Sequence, residues 1–378
     1  MSSSKIKPFK IQIPDSDLED LKRRLERTRW PNELFDAGED YGLTVDYLKP
    51  LFDYWKDGYN WRPVEAELNR LPQFITEIDG EDIYFVHVIS KEPDATPIIL
   101  THGWPTTFVE YTSIIDRMIN PTAHGGKSED AFHVVIPSLP GFGFSENVKT
   151  RGWNRFRTAK AWSELMKRLG YTRYIAVGND LGSNVSPEVG RIDPEHVLGV
   201  HVTQIFSFPS GDPREFEELS PEEKKALEVL QDFSQNLSAY SQVHATKPRN
   251  IGYALADSPL GLLAWNCHLL STGGDLVSKE FIITNVMIYW LTNTAASAAR
   301  FYYEDAHVPE VPEGPTTVPI ALANFAGDFQ SFKTFAKRDH KNIVSWNVYD
   351  EGGHFPTEMT PDLYVEDLRQ FAGMVRQK

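Results

Sequence analysis

Three residues far apart in the chain, Asp180, Asp328 and His354, are of the types that a two-step covalent hydrolysis needs. Asp180 stands in Tyr174-Ile175-Ala176-Val177-Gly178-Asn179-Asp180-Leu181-Gly182-Ser183, where β-prone residues run into Gly-Asn-Asp-Leu-Gly and a helix-compatible segment follows. That is the form of a nucleophile elbow. Small residues two positions either side let the backbone bend sharply and lift one side chain above the end of a sheet. The alternative is an ordinary strand-turn-helix junction with Asp180 as helix N-cap. A carboxylate at the tip of an elbow would attack an sp3 carbon, as in an epoxide or an alkyl halide, and leave an alkyl ester on Asp180.

Hydrolysis of such an ester needs a base to activate water. His354 stands in Tyr349-Asp350-Glu351-Gly352-Gly353-His354-Phe355, after the last strand-like run, where two glycines allow the loop to bring an imidazole to the sheet's end. A pKa near neutrality suits the task. The other ten histidines are read as structural, including His102, whose ring is expected to support its own loop. Asp328, which follows the strand-like run 320–325 through Ala326-Gly327, is the candidate that orients the imidazole. It could instead cap a helix expected over 329–336. Asp350 and Glu351 compete for the orienting role only if their loop folds back on itself. The oxyanion of ester hydrolysis needs preorganised donors, and the backbone N–H groups of Trp104 (in Gly103-Trp104-Pro105) and Leu181 are the candidates. Ring opening would need a donor to a basic alkoxide. Tyr240 and the pair Tyr302-Tyr303 lie in the helical part of the chain, and composition does not choose among them.

Positioning these groups calls for alternating strands and helices. The segment 74–78, the pair Asp79-Gly80 and 83–89 form a hairpin signature. Buried strands are expected at 98–100, 134–136 and 320–325, and further strands at 174–177, 197–202 and 344–348. Between them, Trp162, Leu165, Met166 and Leu169 mark one face of a helix closed by Gly170, and 363–374 is the last helix. Continuous apolar runs alternating with amphipathic helices imply an α/β fold with a mostly parallel sheet covered on both faces. Upstream, Leu18, Leu21 and Leu25 recur at helical spacing, with Ser16 and Glu19 as a capping box, and Tyr47 to Trp55 suggests a second helix. From about 210 to 319 the chain is mostly helix-like, acidic around 215–228 and rich in aromatics. A helical insertion there would cap the site, and its acidic stretch is read as a solvated face.

With 378 residues, 41% apolar and 24% charged, the chain can bury a large core. The net charge of -15 argues against nonspecific binding to nucleic acid or anionic membrane. The lone Cys267 excludes an internal disulfide framework, is read as a small buried residue, and fits a reducing compartment. The polar start Met1-Ser2-Ser3-Ser4-Lys5 is unlike a signal peptide, and no run is long and apolar enough to span a membrane. A cytoplasmic protein is the expectation, and a homodimer is left open. No metal-ligand spacing or nucleotide-binding fingerprint occurs, so neither metal nor cofactor is expected.

Together these residues resemble the α/β-hydrolase-fold epoxide hydrolases, specifically the microsomal-type branch with its fungal soluble and enediyne-pathway members. The markers span nearly the whole chain: the region from Ile11-Pro14 to Trp30-Pro31, His102-Gly103-Trp104-Pro105, the stretch 137–143, the Asp elbow, Lys247-Pro248, Ala254 to Pro259, and 351–355. The resemblance implies an N-terminal meander over 1–75, core segments over 76–209 and 318–378, and a helical cap over 210–317. It implies Asp180 as nucleophile, His354 as base, Asp328 as its acid, Trp104 and Leu181 as oxyanion donors, and Tyr240 with Tyr302 as ring-opening tyrosines (Tyr303 if the register slips by one). It implies a small-molecule epoxide and water as the reaction partners. The elbow departs from the usual Gly-Gly-Asp of that family: Asn179 replaces a glycine, as a residue tolerant of unusual backbone angles, and Leu181 follows the nucleophile. The rivals are a haloalkane dehalogenase, for which Leu181 supplies no halide-binding side chain, and a silent relative that binds a hydrophobic ligand.

Overall fold

In the computed structural model, residues 5–34 and 36–376 are described. Met1 to Ser4, the polar start that argued against a signal peptide, lie outside the described residues. Nine strands form one sheet: β1 (Lys7–Pro8), β2 (Gln73–Ile78), β3 (Glu81–Val88), β4 (Thr96–Thr101), β5 (Phe132–Pro137), β6 (Tyr174–Gly178), β7 (Val197–Val202), β8 (Ile320–Asn324) and β9 (Ile343–Val348). Their order is β1-β2-β3-β5-β4-β6-β7-β8-β9. From β5 to β9 every neighbouring pair is parallel, whereas β1, β2 and β3 are antiparallel to their neighbours. The middle of the sheet is inaccessible to solvent at Ile98, Ile99, Leu100, Val134, Val135, Ile136, Ile175 and Val177. Both faces are therefore covered, which is why these strands read as unbroken aliphatic runs. The β2–β3 hairpin turns on Asp79 and Gly80, both at positive φ (52° and 84°), as a tight turn that follows the strand twist requires.

Helices flank the sheet. Arg155–Arg168 packs against Leu181–Ile192 beside β6, and Pro361–Arg376 packs on β7 and β8. The long connection between β7 and β8 carries the helical cap, including Pro221–Asp232, Ala239–Thr246, Pro259–Leu270, Lys279–Thr292 and Ala295–Ala306. Cys267 is buried within it, as expected. The N-terminal helices Asp15–Glu26 and Val45–Asp53 with the turn after them lie against this cap. Arg24 pairs with Asp257 at 2.8 Å, Trp55 Nε1 donates to Met287 Sδ at 3.0 Å, and the Tyr59 and Thr284 hydroxyls are 3.0 Å apart.

Three local expectations need correction. The first helix begins at Asp15 with Pro14 as its N-cap, so Ser16 lies inside the first turn, where its hydroxyl meets Asp17 and not a helix N–H. A proline's fixed φ starts the helix one residue before the expected cap. Phe329 is not helical: the helix after β8 is Lys333–Asp339, because Asn324 and Asp328 hold the intervening backbone in a turn through Phe329 O, Ser331 N and Phe329 N. The acidic stretch, too, is more than a solvated face. Glu223 completes a capping box with Ser220 and also accepts from Thr334 N at 2.9 Å, while Glu215 pairs with Arg338 at 2.6 Å, so the cap's start is tied to the core.

Candidate active site

The site lies at the carboxyl ends of the parallel strands, where crossovers leave a crevice. Between β6 and the helix Leu181–Ile192, Asp180 has φ 53° and ψ -118°, a strained conformation for a residue with a side chain. Close approach explains the glycines around it. A Cβ on Gly178 would come within 2.0 Å of Gly182 O, and one on Gly182 within 1.9 Å of Thr101 O. The N-cap alternative fails, since the Asp180 side chain caps no helix N–H. Its Oδ1 instead accepts from Trp104 N at 2.8 Å. Gly103 makes room for this: a Cβ there would sit 2.2 Å from Asp180 Oδ1. Leu181 opens the helix and lines the cavity beside Asp180.

Two further loops bring the other groups. Gly327 and Gly353, after β8 and β9, form an isolated parallel bridge, so the loops carrying Asp328 and His354 extend the sheet as one unit. His354 Nδ1 is 2.8 Å from Asp328 Oδ1, and its Nε2 is 3.5 Å from Asp180 Oδ2 without a hydrogen-bond partner. Asp350 and Glu351 are exposed and do not compete. Burial works to lower the His354 pKa, but the charge of Asp328 with its hydrogen bond to Nδ1 and the nearby charge of Asp180 outweigh it and hold it well above the usual histidine value. His102 behaves as expected of a loop support. Its Nδ1 is 2.9 Å from Gly103 O, Leu139 N donates to its Nε2, and burial lowers its pKa to about 4, so it is neutral.

Above Asp180, the cap supplies aromatics. Tyr240 stacks on Trp104 with ring centroids 5.0 Å apart, and Tyr302 stands edge-on to Tyr240 at 6.3 Å. Both line the cavity with Asp180 and His354. Burial and the nearby Asp180 charge push both phenol pKa values up, so both keep their protons. Tyr303 points away: it is exposed and stacks on His307 at 4.1 Å. The cavity holds about 630 Å³ between core and cap, its remaining walls largely apolar, with Phe206, Phe208 and Phe329 from the core loops and Val229, Leu230 and Phe233 from the cap.

Several residues around the site were not singled out from sequence. Gln204, just past β7, accepts from Asp180 N at 2.8 Å and donates to Asp328 Oδ2. Glu110 is fully buried and bonded to Asn179 and Thr106. His244 accepts from Trp265 Nε1 at 2.9 Å and packs edge-on against Tyr302; burial lowers its pKa to about 3. No spacing rule links residues that meet only through the fold; the one usable signal was polar side chains at strand ends. Asn179 is also placed differently from expectation. It is Asp180 that takes the positive φ, and Asn179 serves through its amide. A second buried His–Asp pair, His201 with Asp367 at 2.7 Å, joins β7 to the last helix, does not line the cavity, and is a packing feature.

Comparison with known proteins follows the same lines. Residues 6–111 match the family model described as epoxide hydrolase N terminus, and residues 96–248 match that of the alpha/beta hydrolase fold. A homologue in Stigmatella aurantiaca (strain DW4/3-1) is 42% identical over 99% of this chain and 86% of its own. Epoxide hydrolase 1 of Sus scrofa is 32% identical over 99% of this chain and 90% of its own. The crystal structure of juvenile hormone epoxide hydrolase from the silkworm Bombyx mori superposes with a TM-score of 0.90 at 26% identity, covering 100% of this chain and 96% of that one. The protein described here belongs to the epoxide hydrolases of the α/β-hydrolase fold.

Proposed function

We propose that the cavity binds an apolar epoxide with its oxygen between the Tyr240 and Tyr302 hydroxyls, and that Asp180 is the nucleophile. The carboxylate attacks one ring carbon, the carbon–oxygen bond breaks, and the alkoxide takes a proton from a tyrosine hydroxyl, giving a hydroxyalkyl ester. His354 Nε2 then removes a proton from water, which attacks the ester carbonyl carbon. The tetrahedral oxyanion is met by the Trp104 N–H and the neighbouring Leu181 N–H. Its collapse expels the diol oxygen, which takes the proton of the new Asp180 carboxyl, so that a vicinal diol leaves and the carboxylate is restored; the proton held by His354 goes back to the tyrosinate, which returns both to their starting states. Asp328 fixes the imidazole so that Nδ1 carries a proton and Nε2 accepts one. The observation that carries this reading is the elbow carboxylate itself, bonded to Trp104 N at 2.8 Å and 3.5 Å from an imidazole nitrogen without a partner.

On the same reading the chain divides into a meander over 1–75, a core over 76–209 and 318–378, and a cap over 210–317. The match over 6–111 supports its place in the microsomal-type branch. Among the described residues no helix is long and apolar enough to cross a membrane. A single buried cysteine supports a cytoplasmic setting.

A single turnover in H2 18O with excess enzyme tests the mechanism, using a panel of aryl and aliphatic epoxides. Diol of mostly unlabelled oxygen with label left on the Asp180 peptide is expected. Labelled diol with unlabelled Asp180 would mean direct attack by water. Halide release from haloalkanes with no diol would move the chain to the dehalogenases.

A further inference from the structure

Resting on that reading of the site, we infer that Asn179 and Gln204 are positioning residues whose side-chain amides lock the base, its acid and the nucleophile's backbone together, and that they serve ester hydrolysis rather than ring opening. Both side chains are buried, and neither lines the cavity. Asn179 Nδ2 donates to the backbone oxygen of His354 at 2.9 Å and to Glu110 Oε1 at 2.8 Å. Its Oδ1 accepts from Thr203 Oγ1 and from Gln204 Nε2, the latter at 2.9 Å. The second proton of Gln204 Nε2 goes to Asp328 Oδ2, and Oε1 accepts from Asp180 N and Ser183 Oγ, each at 2.8 Å.

An amide offers two donor protons and one acceptor oxygen, and all are used at both positions. Only one orientation of each works. Turning Asn179 over would set its oxygen against the Glu110 carboxyl and the His354 carbonyl. The bridge therefore has a direction: with Oδ2 of Asp328 taken by Gln204, Oδ1 is left for His354 Nδ1. Asn179 fixes the main chain from which the imidazole hangs. Buried polar networks satisfied in this way are rigid, and each lost bond strands a partner.

Division of labour between the steps follows from what the amides touch. Ring opening uses the Asp180 carboxylate and the cap tyrosines, none of whose side chains meets either amide. Hydrolysis alone uses His354 and Asp328, which both amides hold. Slowing hydrolysis selectively makes the ester accumulate, so kcat and KM fall together while kcat/KM stays near the wild-type value.

The test is single-turnover kinetics with styrene oxide, or the epoxide turned over fastest, on wild type, Asn179→Ala and Gln204→Met. Ester formation and decay are read separately by acid quench and mass analysis of the Asp180 peptide. Expected is formation within about threefold of wild type and decay slowed by about tenfold or more, the order that loss of one buried hydrogen bond to a charged partner would give. Gln204→Met is close to isosteric and keeps the experiment decisive if Asn179→Ala fails to fold. Equal loss in both steps by folded variants, or no change in decay, would overturn the inference and leave the Asp180 mechanism intact. Wild type that forms no ester on Asp180 would overturn both.

Discussion

His354 sits between two carboxylates, and this sets when it can act as a base. In the free protein the charge and hydrogen bond of Asp328 and the charge of Asp180 hold its pKa well above the usual range, against the effect of burial. Ester formation turns Asp180 neutral and removes one of those influences. Its pKa then falls, so the imidazole gives up its proton and is free to act as the base when there is an ester to hydrolyse. Asp180→Asn imitates that state: the variant should form no ester, and the His354 titration followed by NMR should move down. An unmoved titration would separate the two residues electrically. The tyrosines are separable at the same scale. Tyr302→Phe should slow ester formation by about ten- to a hundredfold, general-acid help being worth at least that, whereas Tyr303→Phe, on the outer face, should match wild type. Reversed results in stopped-flow measurements would transfer the role to Tyr303.

Among the elements, the helix Pro221–Asp232 forms one wall of the cavity and is held at its start by Glu223, which both closes the capping box and reaches Thr334. Glu223→Ala leaves the Ser220 cap but removes the reciprocal half of the capping box and the tether together, at a cost of about 1 kcal/mol. Faster hydrogen exchange over 213–232 and a raised KM are expected, with the rate of ester formation at saturation kept. Unchanged exchange would mean that the wall is held elsewhere. This tether shows where sequence reasoning stops. The strands at 98–100, 134–136 and 174–177 were legible because burial on both faces demands unbroken aliphatic runs. Asp180 and Asp328 were legible because each follows such a run, His354 because it follows the last strand and two glycines, and tyrosine chemistry was legible only through resemblance. The second function of Glu223, the amide bridge at Asn179, and the Lys7–Pro8 strand depend on partners tens of residues or more away. No local period records such partners, and two residues are too few to show an alternation.

For the whole molecule, Glu110 adds a dependence on pH. Burial, opposed by hydrogen bonds from Thr106 and Asn179, raises its pKa from 4.5 to about 7. A carboxyl that binds its proton more tightly when folded stabilises fully below its unfolded pKa and loses that contribution as pH rises through its folded one. The window runs from about 4.5 to about 7, and the loss above it is on the order of 3 kcal/mol. Glu110→Gln should therefore gain stability relative to wild type across that window, read as melting temperature at several pH values. A difference that stays constant with pH would contradict the assignment.

The N-terminal helices bring a consequence of another kind. Their partners, Asp257, Thr284 and Met287, follow more than two hundred residues later in the chain. On the ribosome the segment emerges first and must wait, its Trp55 and Leu21 surfaces uncovered, until most of the cap has been made. A segment made well before the cap can dock only after it, so a chain stalled before Lys279 should expose these helices to protease, and release of the full length should protect them.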